Sequence, residues 1–80
     1  MELQTLKNML LKTIPDAMIN IDVEGNNYTM TVVSDEFAGK KLLERQKMVM
    51  APYKSLITSG DIHSLSIKTF TPEESKAVLL

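Results

Sequence analysis

The fifteen residues "GDIHSLSIKTFTPEE", from Gly60 to Glu74, contain a helix stop, a strand and a helix start in succession. Gly60 is typical of the position just after a last helical turn. From Ile62 to Phe70, one face of a strand would carry His63, Leu65, Ile67 and Thr69 and the other Ser64, Ser66 and Lys68, which predicts a strand. The letters "TPEE" match a capping box with proline at the first helical position. A helix, a strand and another helix should therefore follow one another with short connections.

Upstream of Gly60, mostly apolar residues that recur at helical spacing predict a long second helix, which begins at about Lys40. The connector "SDEFAG" before it has capping residues. Pro52 removes one backbone donor and should kink or loosen the helix near its third turn. One face of the predicted helix carries Leu42, Leu43, Gln46, Val49, Met50, Tyr53, Leu56 and Ile57.

The first part of the chain predicts a helix followed by a β-hairpin. Leucines at helical spacing form an amphipathic helix that ends at Pro15. Alternation over residues 17–23 and the β-branched and aromatic residues 28–33 indicate two strands. The turn between them is "EGNN", Glu24 to Asn27, since glycine and asparagine tolerate positive φ.

The predicted order is α-β-β-α-β-α, which defines an α+β fold. The second strand, second helix and third strand form a βαβ unit with a right-handed crossover and parallel strands. A three-stranded mixed sheet with helices on one face follows. Eighty residues allow one small domain, so we expect a single domain over residues 1–80.

Composition narrows the possible functions. Hydrophobic residues make up 44% and charged residues 24% of the chain, which is typical of a globular domain. There is no cysteine, so this chain alone can build neither a disulfide nor a thiolate metal site. No apolar run approaches the roughly 20 residues that cross a bilayer, and no leader-like start is present. We therefore expect a cytoplasmic protein without membrane association.

The charge is distributed unevenly. The net charge is −1, but five cations against one anion over residues 40–54 give that segment +4 and leave the rest at −5. Such a segment can be a solvated helix face, a docking face for an acidic partner, or a phosphate-binding surface. The candidate binding residues are Lys40, Lys41, Arg45 and Lys47.

Catalytic motifs are lacking. The chain has no glycine-rich phosphate loop, and its only histidine has no serine and carboxylate at a diagnostic spacing, so we expect no enzyme. The adjacent acids at 35–36 and 73–74 suit helix starts better than acid–base work. His63 is either a satisfied histidine at the core edge, on the face of Leu65 and Ile67, or a metal ligand. Alone it cannot hold a metal.

Two blocks of the sequence resemble the BolA family. "VVSDEFAGKKLLERQKMV" at Val32–Val49 is similar to the family's V-S-x-x-F-x-G segment and basic helix, and "IHSLSIKTFTPEE" at Ile62–Glu74 is similar to its H-A-L-S-I-x-T-x-T-P-E-E ending. Within the family, Arg45-Gln46 resembles the IbaG-like (YrbA-like) branch, in which glutamine replaces the histidine of the usual R-H pair. The resemblance implies a fold related to the class II KH domain.

The resemblance also implies a partner and a shared cofactor. BolA-like proteins are partners of monothiol glutaredoxins around a shared [2Fe–2S] cluster, and His63 corresponds to an iron ligand. A chain without cysteine can hold half a cluster if the partner supplies thiolates from its cysteine and from glutathione. Replacing thiolate by imidazole raises the potential of such a site, as in Rieske centres. We expect no cofactor in the isolated chain.

The family's second ligand, a histidine or cysteine between strands one and two, corresponds here to Asn26 or Asn27, with Asn27 favoured. Asparagine is a poor iron ligand. Either another residue or water completes the site, or the protein binds apo-glutaredoxin and holds a cluster weakly.

Nucleic-acid binding is the alternative function, because KH-related folds bind nucleic acids and the family is associated with transcriptional control and stress response. The lysines of the basic segment could contact DNA phosphates. However, the chain lacks the Gly-x-x-Gly loop of KH domains and has few aromatic residues for stacking. The resemblance therefore favours iron–sulfur cluster handling with a glutaredoxin, by a protein that is a monomer or weak homodimer when free.

Overall fold

The structure, a computed structural model, describes residues 2–79. The first and last residues of the predicted 1–80 domain lie outside the described residues. In chain order the helices and strands are α1 (Leu3–Leu11), β1 (Met18–Glu24), β2 (Asn27–Val33), α2 (Leu42–Met50), α3 (Lys54–Ser59), β3 (Ser64–Phe70) and α4 (Pro72–Leu79). Short 3-10 turns occupy Asp35–Phe37 and Ala51–Tyr53. This order confirms the prediction, with α2 and α3 in place of one second helix.

The three strands form one mixed sheet in the order β1-β2-β3. β1 and β2 are antiparallel, whereas β2 and β3 are parallel, as the predicted hairpin and βαβ unit require. The register aligns Ile21, Met30 and Ile67 across the sheet, and all three side chains are buried. The face of the sheet that carries these residues is the core face. The opposite face is called the outer face.

The hairpin turn explains the register of β1 and β2. Glu24 pairs with Asn27, so the turn has only two central residues, Gly25 and Asn26. Gly25 has φ of 62°, the left-handed conformation that the first central position of a type II′ turn requires. An L-residue with a side chain would be strained there.

The second predicted helix is interrupted at Pro52, as expected. Ala51–Tyr53 is a 3-10 turn between α2 and α3, and Gly60 ends α3 with φ of 86°. The helix begins at Leu42 and not at Lys40, because Lys41 is extended with ψ of 160°. The predicted apolar face is wrong at Leu42, Leu43 and Ile57, which are 65%, 66% and 38% exposed. The turn that carries Leu42 and Leu43 precedes Val49, the first residue of α2 that reaches the core.

The core lies between the sheet and helices α1 to α3. It comprises Leu6, Leu10, Ile14, Ile21, Met30, Val32, Phe37, Val49, Tyr53, Ile62 and Ile67. The Tyr53 hydroxyl donates to the Leu6 carbonyl of α1 at 2.5 Å, which ties the 3-10 turn to the first helix. Burial raises the pKa of Tyr53 to about 12, because the phenolate would lose its hydration.

Helix α4 lies against the outer face of the sheet, so the prediction that helices cover only one face is wrong. A cavity of about 540 Å³ is lined by Met18, Ile19, Asn20, Thr31, Val33, Pro72, Ser75 and Lys76. Met18, Asn20, Thr31 and Val33 alternate with the buried residues of their strands, so they belong to the outer face. The sequence could not show this, because the direction of α4 depends on contacts made beyond its cap.

Candidate functional site

His63 lies just before β3 and is exposed. The predicted strand began at Ile62, but the ladder starts at Ser64 because Ile62 is buried and donates its N–H to the Leu56 carbonyl at 3.2 Å. The interpretation of His63 as a core-edge histidine is therefore wrong. Among residues 2–78, no protein group forms a hydrogen bond with the imidazole. The side chain is therefore open to an external ligand.

The turn that carries the family's second ligand position lies at the same end of the sheet as His63. Asn27 pairs with Ser64 across the parallel strands. His63 immediately precedes Ser64 and lies outside the ladder. Adjacent strands lie about 4.8 Å apart. Asn26 precedes Asn27 in the exposed turn, where it would be next to His63 if the register continued. The register thus places the backbone of Asn27 and the backbone of His63 at the same end of the sheet.

The donor set at this end of the sheet is incomplete for a metal. Within the described part of the chain, no group of three or more histidine, cysteine, aspartate or glutamate side chains could hold a metal ion. The single imidazole and the neighbouring amides fit a metal centre only if a second molecule supplies most of the ligands.

The candidate lysines of the basic segment differ in their exposure to solvent. Lys40 is half-buried, and its ammonium donates to the Glu36 carbonyl at 2.6 Å. Lys41 and Lys47 are exposed. Together with the exposed Leu42, Leu43 and Glu44, they make the start of α2 an exposed surface with two cations, one anion and two apolar side chains, here called the α2 surface.

Arg45 is held within the molecule. Its guanidinium makes two bonds to the Glu74 carboxylate, at 2.7 and 3.2 Å, and its Nε donates to the Lys40 carbonyl at 3.0 Å. It also lies 5.9 Å from the centre of the Phe37 ring, and its side chain is only 12% exposed. Arg45 therefore links α2 to α4, and the cations that face solvent here are lysines.

Glu74 serves two elements at once. Its carboxylate accepts from the Thr71 backbone N–H at 2.9 Å, and its own N–H donates to the Thr71 hydroxyl at 3.2 Å, which confirms the predicted capping box. The hydrogen bonds from Arg45 hold the pKa of Glu74 below its usual value. Sequence reasoning found the cap but missed the ion pair, because nothing local links residues 45 and 74.

Gln46, the residue that replaces the family's histidine, donates from its amide to the Ile67 carbonyl at 2.7 Å. The side chain is half-buried, and it joins α2 to β3. A glutamine at this position has a structural role in this chain.

Asp16 forms a second polar junction that the sequence did not reveal. The Ser34 hydroxyl donates to its carboxylate at 2.6 Å, and the Asp35 N–H donates to the other oxygen at 3.0 Å. The bond from Ser34 lowers the pKa of Asp16. The Ser34 hydroxyl also accepts from the Glu36 N–H at 3.0 Å, so Ser34 caps the 3-10 turn. This confirms the capping role predicted for the segment "SDEFAG".

Comparison with known proteins identifies the family. The family of BolA-like proteins matches residues 12–74, and the chain belongs to this family. An uncharacterized protein of Haemophilus influenzae is 36% identical over 76 residues, which cover 95% of this chain and 89% of that protein. The acid stress protein IbaG of Escherichia coli K12 is 26% identical over 74 residues, with 92% and 88% covered. Relatives of this chain therefore include IbaG, as the Arg45-Gln46 pair predicted.

Solved structures of the family share the fold. A BolA protein homologue from Coxiella burnetii superposes with a TM-score of 0.78 at 26% identity, covering 95% of this chain and 97% of that one. Yeast Fra2 superposes with a TM-score of 0.70 at 28% identity, covering 99% and 88%. The predicted BolA fold is confirmed. In residues 2–79, no helix has the length and apolar character that a membrane crossing requires.

Proposed function

We propose that this chain binds a monothiol glutaredoxin and shares a [2Fe–2S] cluster with it through the imidazole of His63, as a step in iron–sulfur cluster handling or iron and stress signalling. The observation that supports this most is the exposure of His63 without any hydrogen bond from the described protein groups. A coordinating imidazole must present a neutral nitrogen to the metal. An internal partner would compete for that nitrogen.

The ligand chemistry requires the partner. The chain has no cysteine, so glutathione and the glutaredoxin cysteine would supply the thiolates. Asn27, at the position of the family's second ligand, offers a weak amide donor that water can replace. A complex formed by this chain would therefore hold its cluster less tightly than one with histidine at that position. The role is one of binding and transfer, and no catalytic step is assigned to the chain.

The α2 surface would supply part of the docking energy. Lys41 and Lys47 attract an acidic partner over several ångströms, and the exposed Leu42 and Leu43 gain stability when a partner removes them from water. A KH-like nucleic-acid-binding regulator remains the alternative, but it would have fewer cations than the sequence suggests, because Arg45 is paired with Glu74.

The test is a titration of the chain with glutaredoxin that carries [2Fe–2S] and glutathione, followed by visible absorption and circular dichroism. We expect the cluster spectrum to change on mixing, and His63→Ala to abolish the change while the adjacent Ser64→Ala retains it. Asn27→His should lengthen the lifetime of the mixed cluster. Equal spectra for the wild type and His63→Ala would contradict the proposal.

Docking is measured separately with apo-glutaredoxin by calorimetry. Charge reversal at Lys41 and Lys47 should weaken binding several-fold, whereas the same reversal at Lys12 and Lys68 should not. A DNA titration at two salt concentrations, in parallel, tests the alternative. Tight, salt-dependent DNA binding without glutaredoxin binding would favour the regulator.

A further inference from the structure

The two edges of the sheet are not equivalent. At the β3 edge, the Phe70 carbonyl accepts from Ser34 N–H on the β2 side at 3.0 Å. Carbonyl directions alternate along a strand, so the Ile67 carbonyl points away from β2, and this is the carbonyl that Gln46 binds. The side chain of Gln46 thus blocks the middle of the β3 edge.

The β1 edge carries no such protection among residues 2–79. β1 is seven residues long, contains no proline or lysine, and ends the strand order. Natural sheets usually shield a long edge with charged residues, above all lysine, with proline, with a bulge or with a covering segment. The charged residues of β1 are two acids, Asp22 and Glu24, which alternate with the three core-face residues of the strand. Met18 and Val23, near its two ends, are 72% and 45% exposed.

The direction of the free backbone groups follows from the hairpin. In the two-residue turn the Glu24 carbonyl faces the N–H of Asn27, so Glu24 bonds toward β2. By alternation, the N–H and C=O groups of Ile19, Ile21 and Val23 point outward. These three residues form the hydrogen-bonding edge that β1 offers to another strand.

We propose that the β1 edge pairs antiparallel with β1 of a second copy of this chain, about a two-fold axis at Ile21. In this register Ile21 of one copy faces Ile21 of the other, and Ile19 faces Val23 of the second copy. Every outward backbone N–H and C=O group of these residues is then paired in both strands. The result is one continuous six-stranded sheet.

The side chains select this register over its neighbours. Asn20 is placed opposite Asp22 of the second copy, an amide facing a carboxylate, and Met18 is placed opposite Glu24. That glutamate would lie on the outer face beside the cavity wall that contains Met18 and Lys76, where opposite charges attract. A shift of the axis to Asp22 would place two aspartates directly opposite each other, which is unfavourable. A shift of the axis to Asn20 would place Ile19 opposite Ile21. Val23 would then lie opposite a residue that precedes the start of β1.

This pairing is independent of the proposed cluster site. His63 precedes β3, so the two histidines of a dimer would lie at opposite outer strands and opposite ends of the sheet. A glutaredoxin could reach either one.

Sedimentation velocity from about 10 µM to 1 mM tests the dimer. Asn20→Asp places a second carboxylate opposite Asp22 and should weaken the dimer, while Asn20→Lys should strengthen it. Each contact occurs twice by symmetry, so we expect changes of roughly 2- to 30-fold in the dissociation constant. Ser66→Asp adds the same charge on β3 and should change nothing. A monomer at every concentration, or equal effects of the three variants, would overturn the proposal.

The register is tested by disulfide formation, because the chain has no cysteine of its own. Residues 20 and 22 would be a non-hydrogen-bonded pair, whose Cα atoms lie about 4.5 Å apart, close enough for a disulfide. A mixture of Asn20→Cys and Asp22→Cys should therefore crosslink under mild oxidation faster than either variant alone, in which the cysteines are diagonal neighbours. Circular dichroism spectra of the two cysteine variants check that each of them is folded. Crosslinking without preference for the mixture would contradict the register.

Discussion

Replacing Tyr53 by phenylalanine removes one oxygen from the core and keeps the ring. The lost interaction is the hydrogen bond to the Leu6 carbonyl. A typical intramolecular hydrogen bond contributes about 0.5–1.5 kcal/mol to stability. For a domain of this size, about 1 kcal/mol lowers the Tm by roughly 4–8 °C.

The same variant has a distinct pH dependence. The folded pKa of Tyr53 is about 12, against an ordinary value of 10.0. Because the folded pKa is raised, the contribution of the neutral phenol to stability is complete below pH 10 and is lost as the pH rises toward 12. Linkage gives a loss of about 1.4 kcal/mol at pH 11 relative to pH 8, which Tyr53→Phe lacks.

Urea denaturation followed by far-ultraviolet circular dichroism at pH 8 and pH 11 measures both effects. We expect the wild type to be about 1 kcal/mol more stable than Tyr53→Phe at pH 8 and about equal to it at pH 11. Tyr28→Phe, the other tyrosine position, is the control for general alkaline effects. A constant difference between wild type and Tyr53→Phe at the two pH values would refute the assignment of the buried phenol.

Three further perturbations test the polar junctions. Thr71→Ala removes the cap of α4 and should lower the free energy of unfolding by about 1 kcal/mol, whereas Thr58→Ala in α3 should change it by less than about 0.5 kcal/mol, both measured in urea; equal effects would exclude the cap as the cause. The carboxyls of Asp16 and Glu74 have lowered pKa values in the folded state, so their contribution to the stability of the fold is present above about pH 4.5 and is lost as the pH falls through these lowered pKa values. Glu74→Gln should therefore reduce the loss of stability in acid, measured as a pH titration by circular dichroism. An unchanged acid titration would contradict the ion pair. Gln46→Ala leaves the Ile67 carbonyl without its amide partner and should cost about 1 kcal/mol, with faster amide exchange in β3; unchanged exchange would show that Gln46 does not secure this edge.

The order of elements could be predicted because it depends on local signals. The alternation in the strands, the break at Pro52, the glycine after α3 and the capping box of α4 each act within a few residues. The mixed sheet followed from general rules on hairpins and βαβ units. The positions of Leu42 and Leu43 could not be predicted this way, because helical spacing shows that residues share a face but does not show where the sheet ends.

The site was predictable in part. The resemblance drew attention to His63, and the chain's lack of cysteine showed that any cluster must be shared. The exposure of His63 depends on the bond between Ile62 and Leu56, and the burial of Arg45 depends on Glu74. The first contact joins residues six apart around the end of α3, and the second joins residues 29 apart. Neither contact can be read from composition or from helical spacing.

The most direct test of the central proposal is pulsed electron paramagnetic resonance of the reduced, cluster-loaded complex with glutaredoxin. A histidine ligand gives a nitrogen coupling that an all-thiolate cluster lacks. We predict that this coupling is present in the wild-type complex and absent with His63→Ala. A cluster that shows only sulfur ligation in the wild-type complex would contradict the proposal that His63 binds iron.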